Sequence, residues 1–351
     1  MLVSWEKRPC SSPGHKVRTK ELRVDLSVIV PCYNEEASLS AFLDACVRDF
    51  GASGLAYELI LVNDGSRDAT SKIMADFAAS GRCTHVSCID FSRNFGKEAA
   101  LLAGLQEARG DACSFIDADL QQLPSTLLEM HALLMENPDV DVVAAYQEQR
   151  EGSKMRASFS RKFYGLFNRM SETEIEADAS DFRVFRRPVA QALLSAGEYF
   201  RFTKGLFSWV GFKTLRFAYV PEERVAGTSK WSFRQLMSYA FEGIISFSTA
   251  PLRLSMGVGI VAGLVGFVYL LKLIIVDVLI LHNTPAGYPT LLAVTLILGG
   301  LILLSLGIIG TYLARSYMEI KRRPIYIAKS VVRTDDGEQT SSEHFRTNRS
   351  A

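Results

Sequence analysis

The chain has 351 residues and a formal net charge of +1. This length suits one sizeable domain with an additional unit, and the near-neutral charge excludes the strongly basic surface typical of nucleic-acid binding. Hydrophobic residues make up 48% of the chain, a high share for a water-soluble enzyme, and most of the excess lies after residue 250. The six cysteines form no CxxC pair and have no histidine partners at zinc spacing, so we interpret them as thiols in a reducing compartment.

The N-terminal part of the chain predicts a short tail followed by an α/β domain. Residues 1–24 are polar, are interrupted by proline and glycine, and lack the apolar core of a signal peptide, so we expect a disordered tail. Residues 25–228 are expected to form a cytoplasmic domain in which short apolar runs alternate with segments of helical spacing. The runs are 26–31, 57–63, 85–90, 112–117 and 140–145, and the helical segments include 35–48, 68–79 and 97–109. This alternation predicts a mixed, mainly parallel sheet with helices on both faces.

Polar clusters follow four of the predicted strands. They are CYNEE (32–36), NDGSRD (63–68), FSRNFGKE (91–98) and DADLQQ (117–122). Each alone has an ordinary explanation, since NDGS is typical of a turn with a helix N-cap and Asp-x-Asp often occurs by chance. Together they are expected at the carboxyl edge of the sheet, where such folds bind ligands. No GxGxxG follows the first strand and no GxxxxGK[ST] occurs, which argues against dinucleotide dehydrogenases and P-loop NTPases.

Asp117 and Asp119 lie two residues apart at the end of one apolar run. Their carboxylates repel each other unless a divalent cation neutralises them. Because Mg²⁺ is typically held by one or two carboxylates together with substrate phosphates, the pair favours a Mg²⁺ or Mn²⁺ site that also receives a diphosphate. The alternative is an acidic turn without a metal.

Two apolar runs in the C-terminal part predict a transmembrane hairpin. Residues 254–281 and 290–314 are each long enough to cross a hydrocarbon core of about 30 Å, and we assign residues 251–316 to this unit. Arginine and lysine flank the hairpin and are absent from its connector, so the positive-inside rule predicts that both termini are cytoplasmic. Residues 317–351 are then expected to form a cytoplasmic tail.

Two further segments predict amphipathic helices on the membrane surface. Residues 153–170 alternate basic and aromatic side chains at helical spacing, and residues 229–250 form a second such segment. For the first, a helix packed on the folded domain is the alternative. The basic residues expected near anionic head groups and a lipid phosphate are Arg150, Lys154, Arg156 and Arg161.

Several motifs together resemble the family 2 glycosyltransferases, which have the GT-A fold. The first four are SVIVPCYNEE, LVNDGSRDAT, SRNFGKEAALLAGL and DADLQ. The likeness continues through DFRVFRR (181–187), RFTKGLFSWVGF (201–212), RVAGTSKWSFRQL (224–236) and SFSTAPLRL (246–254). With the two membrane helices, the chain is similar to the bactoprenol glucosyltransferases, which are relatives of dolichol-phosphate mannose synthase.

The resemblance implies an inverting enzyme that moves a hexose, most often glucose from UDP-glucose, to a polyprenyl (undecaprenyl) phosphate. The reaction would make a lipid-linked sugar donor on the cytoplasmic leaflet of a bacterial inner membrane. GlcNAc, GalNAc or mannose are alternatives for the sugar. A processive polysaccharide synthase and a non-catalytic membrane adaptor are alternatives for the protein. The implied cofactor is Mg²⁺ or Mn²⁺, and the implied assembly is a homo-oligomer, with a tetramer as one option.

The resemblance also implies roles for individual residues. Those implied in nucleotide-sugar binding are Pro31, Tyr33, Glu35, Asp64, Arg93, Lys97 and Asp117, and those implied in metal binding are Asp119, Asp117 and Gln121. Those implied in catalysis are Asp181, Asp119 and Arg183, with Asp181 acting either as a base or as an orienting group. Lys230 and Trp231 are implied to close the site near the acceptor.

Two positions depart from the family pattern. Relatives often read DADLQDPP, whereas this chain has Gln122 and Leu123 after Gln121. Relatives also often carry two consecutive arginines where this chain aligns Gln147 and Glu148. The second departure puts acceptor-phosphate binding at that position in doubt, so Arg150 is weighed in its place.

Overall fold

The computed structural model of this protein describes residues 24–147, 179–219, 250–272, 275, 287–335, 338–342 and 346–347. The two segments predicted as interfacial helices, 153–170 and 229–250, lie outside these residues apart from position 250. The described strands are β1 Leu26–Cys32, β2 Tyr57–Asn63, β3 His85–Phe91, β4 Ala112–Phe115, β5 Val142–Gln147, β6 Ala179–Arg186, β7 Thr214–Tyr219, β8 Ile327–Asp335, β9 Glu338–Ser342 and β10 Arg346–Thr347. The described helices are α1 Leu39–Ser53, α2 Thr70–Ala79, α3 Lys97–Glu107, α4 Pro124–Glu136, α5 Arg187–Ser195, α6 Thr203–Val210, α7 Ala250–Lys272 and α8 Tyr288–Ile320.

The strands form one mixed sheet, and its central strands are parallel. The order is β10-β8-β3-β2-β1-β4-β6-β5-β7, with β9 paired to β8. β3, β2, β1 and β4 run parallel to one another, whereas β8 is antiparallel to β3 and β6 is antiparallel to both β4 and β5. The fold class predicted from the sequence is therefore confirmed. The predicted run 140–145 is displaced by two residues, because Val140 still donates its N–H to Asn137 in the turn that precedes β5.

Alternate residues of β1 divide the core into two layers. Leu26, Val28 and Val30 pack in the layer that contains α1, α2 and α4, whereas Ile29 packs in the layer that contains α3, α5 and α6. All four side chains are fully buried, as expected for a parallel strand covered on both faces. The second layer is tight: a Cβ on Gly104 of α3 would lie 2.3 Å from Ile29 Cγ2. The core thus fixes α3 directly over the centre of the sheet.

The segment expected to be a C-terminal tail contributes further strands to the sheet, and β8 joins them to β3. β8 pairs antiparallel with β3 from His85–Asp335 to Phe91–Ala328. It buries Ala328, Val331 and Thr334. This strand has only a weak sequence signal, because its apolar residues are interrupted by charges and its partner lies more than 200 positions earlier in the chain.

Ionic contacts clamp the end of β8 to the amino edge of the sheet. Arg109 donates to Asp335 at 2.9 and 3.1 Å and to the buried Glu58 at 3.0 Å. His85 Nδ1 lies 3.1 Å from Asp335 Oδ1. Ser27 also donates to Glu58, at 2.6 Å. β8 is thus joined to β1, β2 and β3 through one cluster of charged and polar side chains.

Two helices are long and apolar enough to cross a membrane by length and composition. The qualifying segments are Pro251–Tyr269 and Ile297–Ile320, with mean hydropathies of 1.7 and 2.1. Neither apolar segment is buried against the rest of the described structure. Ser255 Oγ donates to Ser305 Oγ at 2.8 Å, which joins α7 to α8. α7 begins four residues before the predicted span 254–281, and α8 begins before and ends after the predicted span 290–314. Residues 276–281 of the first span lie outside the described part of the chain.

The C-terminal end of α8 contacts the sheet domain directly. Tyr199 N–H donates to Glu319 Oε1 at 2.6 Å. The Arg315 guanidinium lies 5.1 Å from the centre of the Phe200 ring. The loop before α6 and the last turns of α8 therefore form one joint between the domain and the apolar hairpin.

We expect Asp335→Ala to loosen β8 from β3. Because hydrogen bonds to Arg109 lower the pKa of Asp335, the ionised carboxylate stabilises the fold above the ordinary carboxyl pKa, and this stabilisation is lost as the pH falls through the lowered value. Since both side chains are about 40% exposed, the loss should be only about 1 kcal/mol in the free energy of unfolding. The measurement is hydrogen exchange of the β8 amides in the full-length protein.

The matched control is Asp139→Ala, which removes an exposed ion pair with Lys213 at a distant edge and should leave exchange in β8 unchanged. Equal protection of β8 in the Asp335→Ala variant and the wild type would show that the clamp does not hold this strand.

Candidate active site

The four predicted polar clusters meet at the carboxyl edge of β1–β4, as the sequence predicts. The first two clusters are joined by hydrogen bonds: Asn34 N–H donates to Ser66 Oγ at 3.0 Å, and Arg67 N–H donates to Asn34 Oδ1 at 2.9 Å. Asn34 has a φ of 53°, in the left-handed region that asparagine tolerates. The predicted nucleotide-binding residues Tyr33 and Glu35 flank it, and the Tyr33 side chain is 39% exposed.

Asp64 holds the loop that follows β3. Its carboxylate accepts the N–H of Phe95 at 2.6 Å and the N–H of Gly96 at 2.9 Å. Burial raises the pKa of Asp64 to about 6, although these two N–H groups and the charge of Arg93 act in the opposite direction. The adjoining Gly65 has a φ of 66°, and a Cβ there would lie 2.4 Å from the carbonyl carbon of Arg93. The two loops therefore touch backbone to backbone, and only glycine fits at the contact.

Lys97 lies between two carboxylates that come from neighbouring strands. β4 and β6 are antiparallel, and the pairing of Phe115 with Arg183 places Asp181 opposite Asp117 just beyond the end of β4. Lys97 Nζ lies 2.7 Å from Asp117 Oδ1 and 3.2 Å from Asp181 Oδ2. The ammonium group, provided by the first residue of α3, thus bridges two acids that would otherwise repel each other.

The pKa values at this bridge favour the charged forms. Burial alone would lower the pKa of Lys97, but the charges of Asp117 and Asp181 raise it, so the amine is protonated. Burial alone would raise the pKa of the Asp181 carboxyl, but the positive charges of Lys97, Lys204 and Arg183 lower it to about 2. Lys97 and Asp181 are therefore both ionised near neutral pH.

Gln122 braces the loop that carries the two aspartates. Its side chain is 7% exposed, and its Oε1 accepts the N–H of Asp117 at 3.1 Å. Asp119 Oδ1 accepts the N–H of Gln121 at 3.1 Å, and Leu120 between them has a φ of 60°. The residue that departs from the family pattern thus closes the loop from inside, a role that the sequence analysis missed.

The oxygen donors of this loop fit a divalent cation whose shell is completed by phosphate. Among the described residues, no group of three or more histidine, cysteine, aspartate or glutamate side chains could hold a metal ion by itself. Asp117, Asp119 and Gln121 offer carboxylate and amide oxygens at one strand end. This is the donor set that Mg²⁺ accepts together with substrate phosphates, although Asp117 is also paired with Lys97.

Two arginines of the predicted site lie against aromatic rings. The Arg183 side chain is buried, and its guanidinium lies 4.4 Å from the centre of the Phe207 ring in α6. The Arg93 guanidinium lies 4.1 Å from the centre of the Phe95 ring and donates to the carbonyl of Asn94 at 2.9 Å. Stacking of this kind holds a guanidinium plane in a defined orientation.

Six predicted site residues lie outside the part of the chain that the structure describes. They are Arg150, Lys154, Arg156, Arg161, Lys230 and Trp231. Their proximity to the carboxyl edge stays a prediction. Pro31, by contrast, lies within β1, next to the other residues of the edge.

Comparison with known proteins places this arrangement in context. The sequence model of glycosyl transferase family 2 matches residues 27–194. The bactoprenol glucosyl transferase of Shigella phage SfII is 40% identical over 306 residues, which are 87% of this chain and 97% of that protein. The prophage bactoprenol glucosyl transferase homolog of Escherichia coli is 39% identical over 308 residues, which are 87% of this chain and 99% of that protein. Among solved structures, mannosyl-3-phosphoglycerate synthase from Rubrobacter xylanophilus matches with a TM-score of 0.45 and 17% identity, over 64% of this chain and 73% of that chain.

We expect Gln122→Ala to loosen the loop between β4 and α4. The substitution leaves the N–H of Asp117 without this acceptor in a largely buried place, which costs about 1–3 kcal/mol. Hydrogen exchange of the amides at 116–122 should accelerate in the full-length protein. Glu129→Ala, at an exposed position of α4, is the control and should not change this exchange. Unchanged exchange in the Gln122→Ala variant would refute the brace.

Proposed function

Because this chain belongs to glycosyltransferase family 2, we propose that it transfers a hexose from a nucleotide sugar to the phosphate of a polyprenyl phosphate, with inversion at the sugar. The chain is a glycosyltransferase, and relatives named bactoprenol glucosyl transferase match nearly their whole length. Their names support glucose as the proposed sugar and a bactoprenol (undecaprenyl) carrier as the proposed acceptor, and we propose UDP-glucose as the donor. The observation that carries the proposal is the Lys97 bridge between Asp117 and Asp181, which sets a cation and paired acids at the ligand-binding edge.

The donor is proposed to lie across the carboxyl ends of β1, β2 and β3. The half-exposed Tyr33 ring offers a surface for a nucleotide base, and Pro31 and Glu35 flank it. Asp64 contributes indirectly, since its carboxylate is occupied by the N–H groups of the loop that carries Arg93 and Lys97. Arg93 and Lys97 are proposed to contact the diphosphate.

Asp119, Asp117 and Gln121 would hold a Mg²⁺ or Mn²⁺ ion together with the donor diphosphate. When bound, the cation would offset the charge that develops on the departing diphosphate. Gln122 keeps these residues in register by closing their loop. Lys97 is long enough to move from Asp117 to a phosphate oxygen while it stays near Asp181.

Asp181 is proposed to orient the site rather than to remove a proton. A phosphate monoester has a second pKa near 6, so the acceptor is already a competent oxyanion at neutral pH. An effective general base has a pKa near the working pH, whereas the cations around Asp181 lower its pKa to about 2. The carboxylate is better suited to fixing Lys97 and Arg183 than to proton transfer.

The two apolar helices are proposed to span the bacterial inner membrane as a hairpin with both flanks in the cytoplasm. β8 follows α8 and pairs with β3, so the chain returns to the side on which the sheet lies. Arg315 and the basic run Lys321–Arg323 lie at this end of α8, as the positive-inside rule expects. The apolar surfaces of α7 and α8 would face lipid or further copies of the chain in the proposed homo-oligomer.

The proposed reaction predicts metal-dependent transfer by the full-length protein in membranes. With radiolabelled UDP-glucose and undecaprenyl phosphate, label should appear in a lipid product, and EDTA should abolish this transfer until Mg²⁺ or Mn²⁺ is restored. Asp119→Asn should lower turnover about 100-fold or more, since it removes a carboxylate ligand. Asp139→Asn, at a distant exposed ion pair, is the control. Full transfer in EDTA would contradict the metal assignment, and no labelled lipid with any nucleotide sugar would contradict the function.

The role proposed for Asp181 predicts a specific pH profile. Asp181→Asn should reduce turnover about 100-fold or more, because Lys97 and Arg183 lose the charge that fixes them. The residual rate should still fall below about pH 6, where the acceptor phosphate becomes protonated. If the acid limb of the wild-type profile vanished in the variant, Asp181 would be the base; near-normal turnover would remove it from the mechanism.

A further inference from the structure

Glu98 is a charged residue of the site region that the proposed mechanism leaves without a role. It is the second residue of α3 and follows Lys97 directly. Its side chain reaches across to α6, where Oε2 accepts the backbone N–H of Thr203 at 3.0 Å and also accepts the Thr203 hydroxyl. Thr203 is the first residue of α6, and its N-cap residue Phe202 makes no side-chain cap. Glu98 therefore caps α6 from a different helix.

α6 carries two residues that act near Asp181, one through its charge and one through a ring contact with Arg183. Lys204 is the second residue of this helix, and its positive charge helps to lower the pKa of the Asp181 carboxyl. One turn later, the Phe207 ring lies 4.4 Å from the Arg183 guanidinium. The position of α6 thus affects two cations: Lys204, which the helix carries, and Arg183, which contacts the Phe207 ring.

The position of Glu98 is energetically unfavourable for an ionised carboxylate, because burial disfavours the charged form. Burial and the nearby charge of Asp181 together raise its pKa to about 7, although the two hydrogen bonds from Thr203 and the charge of Lys97 act in the opposite direction. A cap alone could be provided by a serine or an aspartate at position 202, which would need no long side chain from another helix. What the observed arrangement adds is a rigid link between the helix that carries Lys97 and the helix that carries Lys204.

We propose that Glu98 is a positioning residue for glycosyl transfer: by capping α6 it fixes the helix that carries Lys204, and Lys204 is a further phosphate-binding cation of the site. The inference rests on the proposed function, since the phosphate belongs either to the donor diphosphate or to the polyprenyl phosphate. Lys204 would add a third cation to Lys97 and Arg183, which suits a ligand with several phosphate oxygens, because each cation can pair with a different oxygen.

The test compares steady-state kinetics of full-length variants with UDP-glucose and undecaprenyl phosphate. Lys204→Ala should raise the KM of one substrate about 10-fold or more; a rise for UDP-glucose assigns Lys204 to the donor, and a rise for undecaprenyl phosphate assigns it to the acceptor. Glu98→Ala should lower kcat/KM about 10- to 100-fold, because a small misplacement of a binding group has effects of this size. Glu98→Gln retains an oxygen that can accept from Thr203 and should restore most of this loss.

Two controls separate positioning from loss of structure. Asp141→Ala removes a carboxylate that likewise accepts a backbone N–H, from Lys213, but it directly precedes β5 and has no assigned role in the site. This variant should not change the kinetics. In the double variant, Glu98→Ala and Lys204→Ala should be less than additive, because part of the effect of Glu98→Ala acts through the Lys204 ammonium group. If Glu98→Ala fails to fold, Lys204→Ala and Glu98→Gln decide the matter alone.

Wild-type kinetics in Lys204→Ala would overturn the proposal, as would a Glu98→Gln variant as impaired as Glu98→Ala, or strict additivity in the double variant. A wild-type protein that transfers no sugar to undecaprenyl phosphate would instead refute the proposed function. The two failures are therefore distinguishable in one set of assays.

Discussion

The site depends on the contact of the Lys97 ammonium group with two carboxylates, those of Asp117 and Asp181. Asp117 and Asp181 lie opposite each other on adjacent antiparallel strands, an arrangement in which like charges destabilise the sheet. Lys97 contacts both carboxylates and offsets part of their charge, and it can do so because α3 begins at this residue. The start of α3 is in turn fixed by Asp64, which binds the two backbone N–H groups just before it. A buried acid on one loop thus determines where the cation of the next loop lies.

The return of the chain from the apolar hairpin completes the sheet around this site. β8 covers the edge of β3, which would otherwise expose unpaired backbone groups. Near its start, Ser330 Oγ donates to Asp90 at 3.4 Å, and Asp90 also accepts from Asn63 at 2.7 Å. Asn63 in turn accepts the N–H of Ser66 in the loop that follows β2. A strand that follows the second apolar helix therefore supports the loop proposed to bind the nucleotide.

The central part of this architecture could be predicted from the sequence because its signals are local. Short runs of β-branched residues predict β1 to β5, and the polar clusters after them predict the edge where the site lies. β8 could not be predicted in the same way, since its stability comes from a partner strand distant in the chain and from the Arg109–Asp335 contact. Lys204 was missed for a similar reason: its electrostatic effect on Asp181 depends on how α6 packs, and no spacing along the chain encodes that.

Gln122 illustrates how a departure from a family pattern can be misjudged from sequence. At that position an acid suggests a ligand, and its loss suggests a weaker metal site. In the structure the side chain points inward and accepts the N–H of Asp117, so its contribution is to the shape of the loop. The loop already carries two carboxylates, those of Asp117 and Asp119, and Lys97 forms an ion pair with Asp117. A third acid here would add repulsion to a site that is proposed to bind a diphosphate, whereas a neutral amide supports the loop without adding negative charge.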